Sequence, residues 1–127
     1  LARRTVVSVY MKNRTPSCDR QLDSLVRHAG AFEQAGVKVV AISRDTSGSQ
    51  LRQAKAKAVG FTLASDPDDL FAKATDSLVA KSMYGRTFTG PARAAYVFDR
   101  DGTVLAVVPK VEPARHAEQV LEALRTL

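Results

Sequence analysis

The chain alternates between two hydrophobic periods. Val6-Val7-Ser8-Val9-Tyr10-Met11 is a run of strand formers and predicts a first strand. Pro16 then opens a helix, where proline costs little because its missing N–H has no intrahelical partner anyway. Leu22, Leu25, Val26, Ala29, Phe32 and Ala35 recur at helical spacing, so one continuous helix with one apolar face is expected, ended by Gly36. Val37 to Ser43 predicts a second strand. Ser47 or Ser49 can cap the next helix, which runs towards Val59 and stops at Gly60. Phe61 to Ala64 reads as a short strand. Ser65-Asp66-Pro67-Asp68-Asp69 then has the composition of a helix start, with Leu70, Phe71 and Ala74 as its buried face. Ser77 to Pro91 holds Gly85, Gly90 and Pro91 without a clean period and reads as a loop. Ala94 to Phe98 and Val104 to Val108 read as strands joined by a tight hairpin at Asp99-Arg100-Asp101-Gly102. Pro113 opens the last helix, with Ala117, Val120, Leu121, Leu124 and Leu127 as its stripe.

The order β-α-β-α-β-α-β-β-α implies an α/β protein with parallel strands, helices on both faces of the sheet and an antiparallel part from the hairpin. Residues 1–127 carry no repeat or linker and read as a single domain with room for a sizeable core. The longest apolar run, Val37 to Ile42, falls far short of the roughly 20 residues that span a bilayer, so no membrane partner is expected. The net charge of +6 comes from Lys and Arg spread along the chain, without a dense block or interleaved aromatics. A solvated surface therefore explains it better than nucleic-acid binding. His28 and His116 read as surface residues on helices, without the spaced partners of a metal site. A single cysteine permits no intrachain disulfide and suits a reducing compartment such as the cytoplasm.

That cysteine, Cys18, sits in Thr15-Pro16-Ser17-Cys18 at the predicted helix start. A thiol in the first turn of a helix meets backbone N–H groups and the positive end of the helix dipole, and both favour the reactive thiolate. Thr15 and Cys18 have the i, i+3 spacing of a redox C-x-x-C, with threonine in the first place. The pair suits a thiolate attacking an oxygen-containing substrate, because a hydroxyl can donate to or accept from an oxygen near the sulfur.

Thr15-Pro16-Ser17-Cys18 resembles the peroxidatic motif of peroxiredoxins, and the resemblance runs over nearly the whole chain. Val37 to Asp45, Leu63-Ala64-Ser65-Asp66-Pro67, Lys81 to Arg86 and Gly90 to Asp99 follow in the family's order. The match is nearest to the bacterioferritin-comigratory or PrxQ type. It implies a thioredoxin-like fold, a central mixed sheet flanked by helices, and reduction of hydroperoxides. Cys18 would be the peroxidatic cysteine, Thr15 its hydroxyl partner and Arg93 its guanidinium partner. Tyr10, Met11, Pro16 and Ser17 would line the substrate pocket. The implied partners are a hydroperoxide and an external thiol or thioredoxin-like reductant, with no metal and no bound organic cofactor. A monomer or homodimer is expected.

Three features depart from the family pattern. Met11 stands where the family has proline. Asp23 and Ala56 occupy the places where a resolving cysteine can sit, which leaves a one-cysteine cycle. The usual N-terminal hairpin before the first core strand is not evident. These departures define the alternative, a thioredoxin-fold redox sensor or interaction module with weak or no turnover, in which Cys18 signals through a mixed disulfide. Asp19, next to the thiol, is expected to face solvent.

Overall fold

Five residues of near-continuous burial, Thr5–Val9, form strand β1 at the centre of the sheet. The computed structural model describes residues 4–10, 16–57, 59–66, 68, 70–74, 78–83, 86–91 and 94–127, with 72, 78–83 and 86–91 described by their backbone. After β1 come helices α1 (Pro16–Arg27) and α2 (Ala29–Gln34), strand β2 (Lys38–Ser43), helix α3 (Ser47–Ala56), strand β3 (Thr62–Ser65) and helix α4 (Leu70–Ala74). Strands β4 (Leu78–Met83), β5 (Arg86–Pro91), β6 (Ala94–Phe98) and β7 (Val104–Val108) follow, and a 3-10 turn at Pro113–Arg115 leads into α5 (His116–Arg125).

The main sheet has the order β3-β2-β1-β6-β7. β1, β2 and β3 are parallel, while β6 runs against β1 and β7 against β6. On one face Val6 packs with Leu25, Phe32, Ala117 and Val120 from α1, α2 and α5. On the other face Phe71 of α4 joins Val9, Ala94 and Tyr96, with its ring edge-on to Tyr96 at 5.5 Å and to Phe98 at 6.1 Å. The mixed α/β sheet with helices on both faces is thus the expected architecture. No helix among the described residues is long and apolar enough to cross a membrane.

Several elements differ from the sequence reading. The first helix is two. At His28 the backbone leaves the helical region (φ −105, ψ 11), and the imidazole Nδ1 lies 2.9 Å from the Ser24 carbonyl, which also accepts the His28 N–H at 3.3 Å. Gly36 adopts φ +71 and ends the segment as expected. Thr46, not Ser47 or Ser49, caps α3: its hydroxyl accepts the Ser49 N–H at 3.2 Å. α4 starts on the Asp66 carboxylate, which accepts the N–H groups of Leu70 and Phe71 at 2.8 and 3.0 Å. Leu70 is 67% exposed and Ala74 is exposed, so Phe71 alone of the three expected residues turns inward. The expected loop at 77–91 contains the antiparallel pair β4–β5, in register from Leu78↔Pro91 to Met83↔Arg86. The Asp99 hairpin forms as expected, with Gly102 at φ +89. Leu127 lies beyond α5 and is exposed.

Candidate active site

The parallel strands end together, and the chain chemistry gathers at those ends. Tyr10 follows β1 and keeps the ladder going, its N–H donating to the Ile42 carbonyl at 3.0 Å. Pro16 begins α1, so Cys18 falls in the first turn, where the helix dipole favours negative charge. The Cys18 side chain is 1% exposed and packs with Tyr10, Leu22 and Ala41, with Val59, Phe61 and Leu63 around them. Ser17 is half-buried and Pro16 is exposed. The structure therefore brings Cys18 and Tyr10 together, two of the expected site residues. Thr15, Arg93 and Met11 lie outside the described residues.

A polar lattice backs this apolar cluster. The Tyr10 hydroxyl donates to Gln50 Oε1 at 2.9 Å. Gln50 Nε2 donates to the Ala64 carbonyl at 2.7 Å and to Ser43 Oγ at 3.1 Å. Ser43 in turn donates to the Asp45 carboxylate at 2.6 Å, and the Ser65 hydroxyl donates to the Asp45 carbonyl at 2.5 Å. Burial pushes the Tyr10 phenol above its ordinary pKa. The negative charges of Asp45 and Cys18 push the same way, and the Ser43 and Gln50 partners offset this in part. Tyr10 is therefore a neutral phenol at physiological pH.

One turn beyond Cys18, Gln21 fixes the helix to the sheet. Its Nε2 donates to Ser8 Oγ at 3.0 Å and to the Val9 carbonyl at 3.1 Å. Ser8 Oγ is also bonded to His116 Nε2 at 2.7 Å. His116 is fully buried, not a surface residue as its polarity suggests, because it lies one turn before Val120 on the packed face of α5. Ser24 Oγ accepts the Ala117 N–H at 2.9 Å and so caps α5 from a neighbouring helix. Asp19 does not face open solvent. It is half-buried and accepts from Gln53 of α3 at 3.2 Å. Asp23 pairs with Lys57 at 2.8 Å, and Ala56 is exposed.

Sequence reading missed Gln21, Gln50 and His116. The signal was weak: glutamine and histidine on helices with polar neighbours read as solvent-facing. Gln21 could have been found as the i+3 neighbour of Cys18 on one helix face.

The described structure sets the single cysteine of the sequence in the first turn of the helix that follows the central strand of a mixed sheet, the one thiol these residues offer for redox chemistry. Comparison with known proteins narrows the class. Residues 1–107 match the AhpC/TSA family. Peroxiredoxin Bcp of Xanthomonas campestris is 32% identical over 120 residues, which cover 94% of this chain and 75% of that protein. The solved bacterioferritin comigratory protein of Xanthomonas campestris, determined in trapped intermediate and ligand complexes to study its alkyl peroxide reduction, superposes with a TM-score of 0.89 at 30% identity, covering 98% of this chain and 80% of that one. Xylella fastidiosa PrxQ, solved as a cysteine-to-serine mutant, gives a TM-score of 0.89 at 26% identity, covering 98% and 77%. The chain belongs to the AhpC/TSA family, as a peroxiredoxin of the Bcp/PrxQ group.

Proposed function

We propose that this peroxiredoxin reduces hydrogen peroxide and small alkyl hydroperoxides at Cys18 through a one-cysteine cycle. The observation that carries the proposal is Cys18 itself: the single cysteine of these residues, in the first turn of α1 and packed against Tyr10 where the parallel strands end. The thiolate attacks the terminal oxygen of RO–OH, the O–O bond breaks, and the departing alkoxide takes a proton to leave as ROH. Cys18 is left as sulfenic acid. An external thiol attacks that sulfur, releases water and forms a mixed disulfide. A second thiol regenerates Cys18 and departs with the first as a disulfide. A reducing cytoplasm supplies such thiols, either small or on a thioredoxin-like protein.

Thr15 and Arg93 are proposed as the hydroxyl and guanidinium that hold the peroxide oxygens. Thr15 directly precedes Pro16, the first residue of α1. Arg93 directly precedes Ala94, which pairs with Val9, the residue before Tyr10. Donors aimed at the charge developing on the leaving oxygen lower the barrier, and a guanidinium stays charged throughout. Tyr10, Met11, Pro16 and Ser17 are proposed to line the pocket.

The test is peroxide consumption with excess thiol. Sustained turnover that vanishes in Cys18→Ser, with a sulfenic acid trapped on Cys18 by a carbon nucleophile, is the expected result. A single oxidation without turnover would instead support a sensor. A fully active Cys18→Ser variant would end the proposal.

A further inference from the structure

We infer that Gln21 of α1 is a positioning residue for the peroxidase reaction, setting the register of that helix on β1 and with it the place of Cys18. The inference rests on the peroxidase reading above.

Helix α1 runs back along β1, and its contacts step down the strand. Cys18 packs against Tyr10, Gln21 reaches Ser8 and Val9, and Leu25 packs with Val6. The apolar contacts are non-directional, so they hold the helix down without fixing where it stops along the strand. Hydrogen bonds weaken steeply away from their preferred geometry and do fix it. Gln21 supplies two, to consecutive strand residues, at 3.0 Å to Ser8 Oγ and 3.1 Å to the Val9 carbonyl. Cys18 stands three residues earlier on the same face of the same helix, about 4.5 Å along its axis. A slip at Gln21 is therefore a slip of the sulfur past the strand end.

The orientation of the Gln21 amide is determined by its partners. A backbone carbonyl only accepts, so the nitrogen faces Val9. Its second hydrogen goes to Ser8 Oγ, which is bonded in turn to His116 Nε2 of α5 at 2.7 Å. Both amide hydrogens are thus used. The amide oxygen is buried and has no hydrogen-bond partner among the described residues, although such an atom costs stability. Gln21 is 1% exposed. A methionine of the same length would avoid that cost but could give nothing to Val9 or Ser8. The two directed donors are what the glutamine adds to the packing.

The test is the second-order rate of Cys18 sulfenic-acid formation by hydrogen peroxide in wild type, Gln21→Met and Gln21→Glu. Each rate is divided by the thiolate fraction at that pH, read from ultraviolet absorbance against Cys18→Ser. Gln21→Met removes both donors and should lower the rate per thiolate about tenfold at every pH. Gln21→Glu keeps the shape, but its carboxylate has no hydrogen for Val9, so at alkaline pH it should be as slow. Once protonated, its O–H can donate to Val9, and part of the loss should be recovered as pH falls. Burial raises the pKa of such a carboxyl and brings the recovery towards neutral pH. A Gln21 that only adds stability would lower the denaturant midpoint in both variants and leave the rate per thiolate unchanged. A wild-type rate per thiolate in folded Gln21→Met, or no recovery in Gln21→Glu at any pH, overturns the inference and leaves the peroxidase reading standing. Should Gln21→Met not fold, Gln21→Glu decides alone by its pH dependence. A wild-type Cys18 no faster than a free thiol overturns both.

Discussion

Tyr10 is buried against Cys18, and its raised pKa makes it a source of alkaline instability. The unfolded chain gives up the phenol proton at about pH 10, while the folded chain holds it to higher pH. The stability linked to this group is therefore intact below about pH 10 and is lost as pH rises through the folded-state value. Tyr10→Phe should behave oppositely at the two ends of this range. At about pH 8 it should lose about 1 kcal/mol, because Gln50 Oε1 loses its donor. Near about pH 11 the gap to wild type should close or reverse, because the variant has no phenol to ionise there. Denaturant unfolding at both pH values checks this, and a gap that widens with pH would contradict it. The residue scale is also where sequence reading was most uneven. Cys18 was legible because it is unique and follows Thr15-Pro16. Gln50 was not, because nothing along the chain says that Tyr10, forty residues away, ends its strand beside that face of α3.

At the scale of elements, α1 is held by polar groups from two sides. Gln21 ties it to β1, and Ser24 ties it to α5 by accepting the Ala117 N–H. Ser24 is fully buried, so Ser24→Ala leaves that N–H without its acceptor in a dry site. The expected cost is about 1–2 kcal/mol, read as a lower denaturant midpoint at unchanged slope. By contrast Asp23→Ala, which breaks the half-exposed pair with Lys57, should cost less than about 1 kcal/mol. If the two substitutions cost the same, burial is not what sets the worth of these contacts. The elements most visible in sequence were those with one apolar stripe, such as α5. The β4–β5 pair was invisible for the complementary reason. Neither of its strands alternates: Lys81 and Ser82 interrupt the first, and Thr87, Thr89, Gly90 and Pro91 dilute the second. The helix break at His28 was hidden as well, since the apolar spacing from Leu22 to Ala35 continues straight through it.

The whole molecule sets how an oxidised Cys18 can end. The βαβ order brings the C-terminal ends of β1, β2 and β3 to the same end of the sheet, and the first turn of α1 packs Cys18 there against Tyr10 and Ala41. That much follows from the alternation of periods, and the α/β class was legible for that reason. Burial of the sulfur beneath the helix is a tertiary result that no periodicity expresses. These residues contain one cysteine, so no intrachain disulfide can form. At 1% exposure, Cys18 also cannot approach the Cys18 of a second copy without opening α1. A small oxidant needs far less room than a second copy of the chain. With hydrogen peroxide and no thiol, the chain should therefore gain one oxygen and then a second on Cys18 as sulfenic and sulfinic acid. Disulfide-linked dimers should stay a minor product. Adding a small thiol early should divert the first product into a mixed disulfide, whereas adding it after the second oxygen should recover nothing. Intact-protein mass spectrometry beside a non-reducing gel reads all these species at once. Abundant linked dimers at the earliest times would mean that the first turn of α1 opens readily and that the burial of Cys18 does not govern its fate.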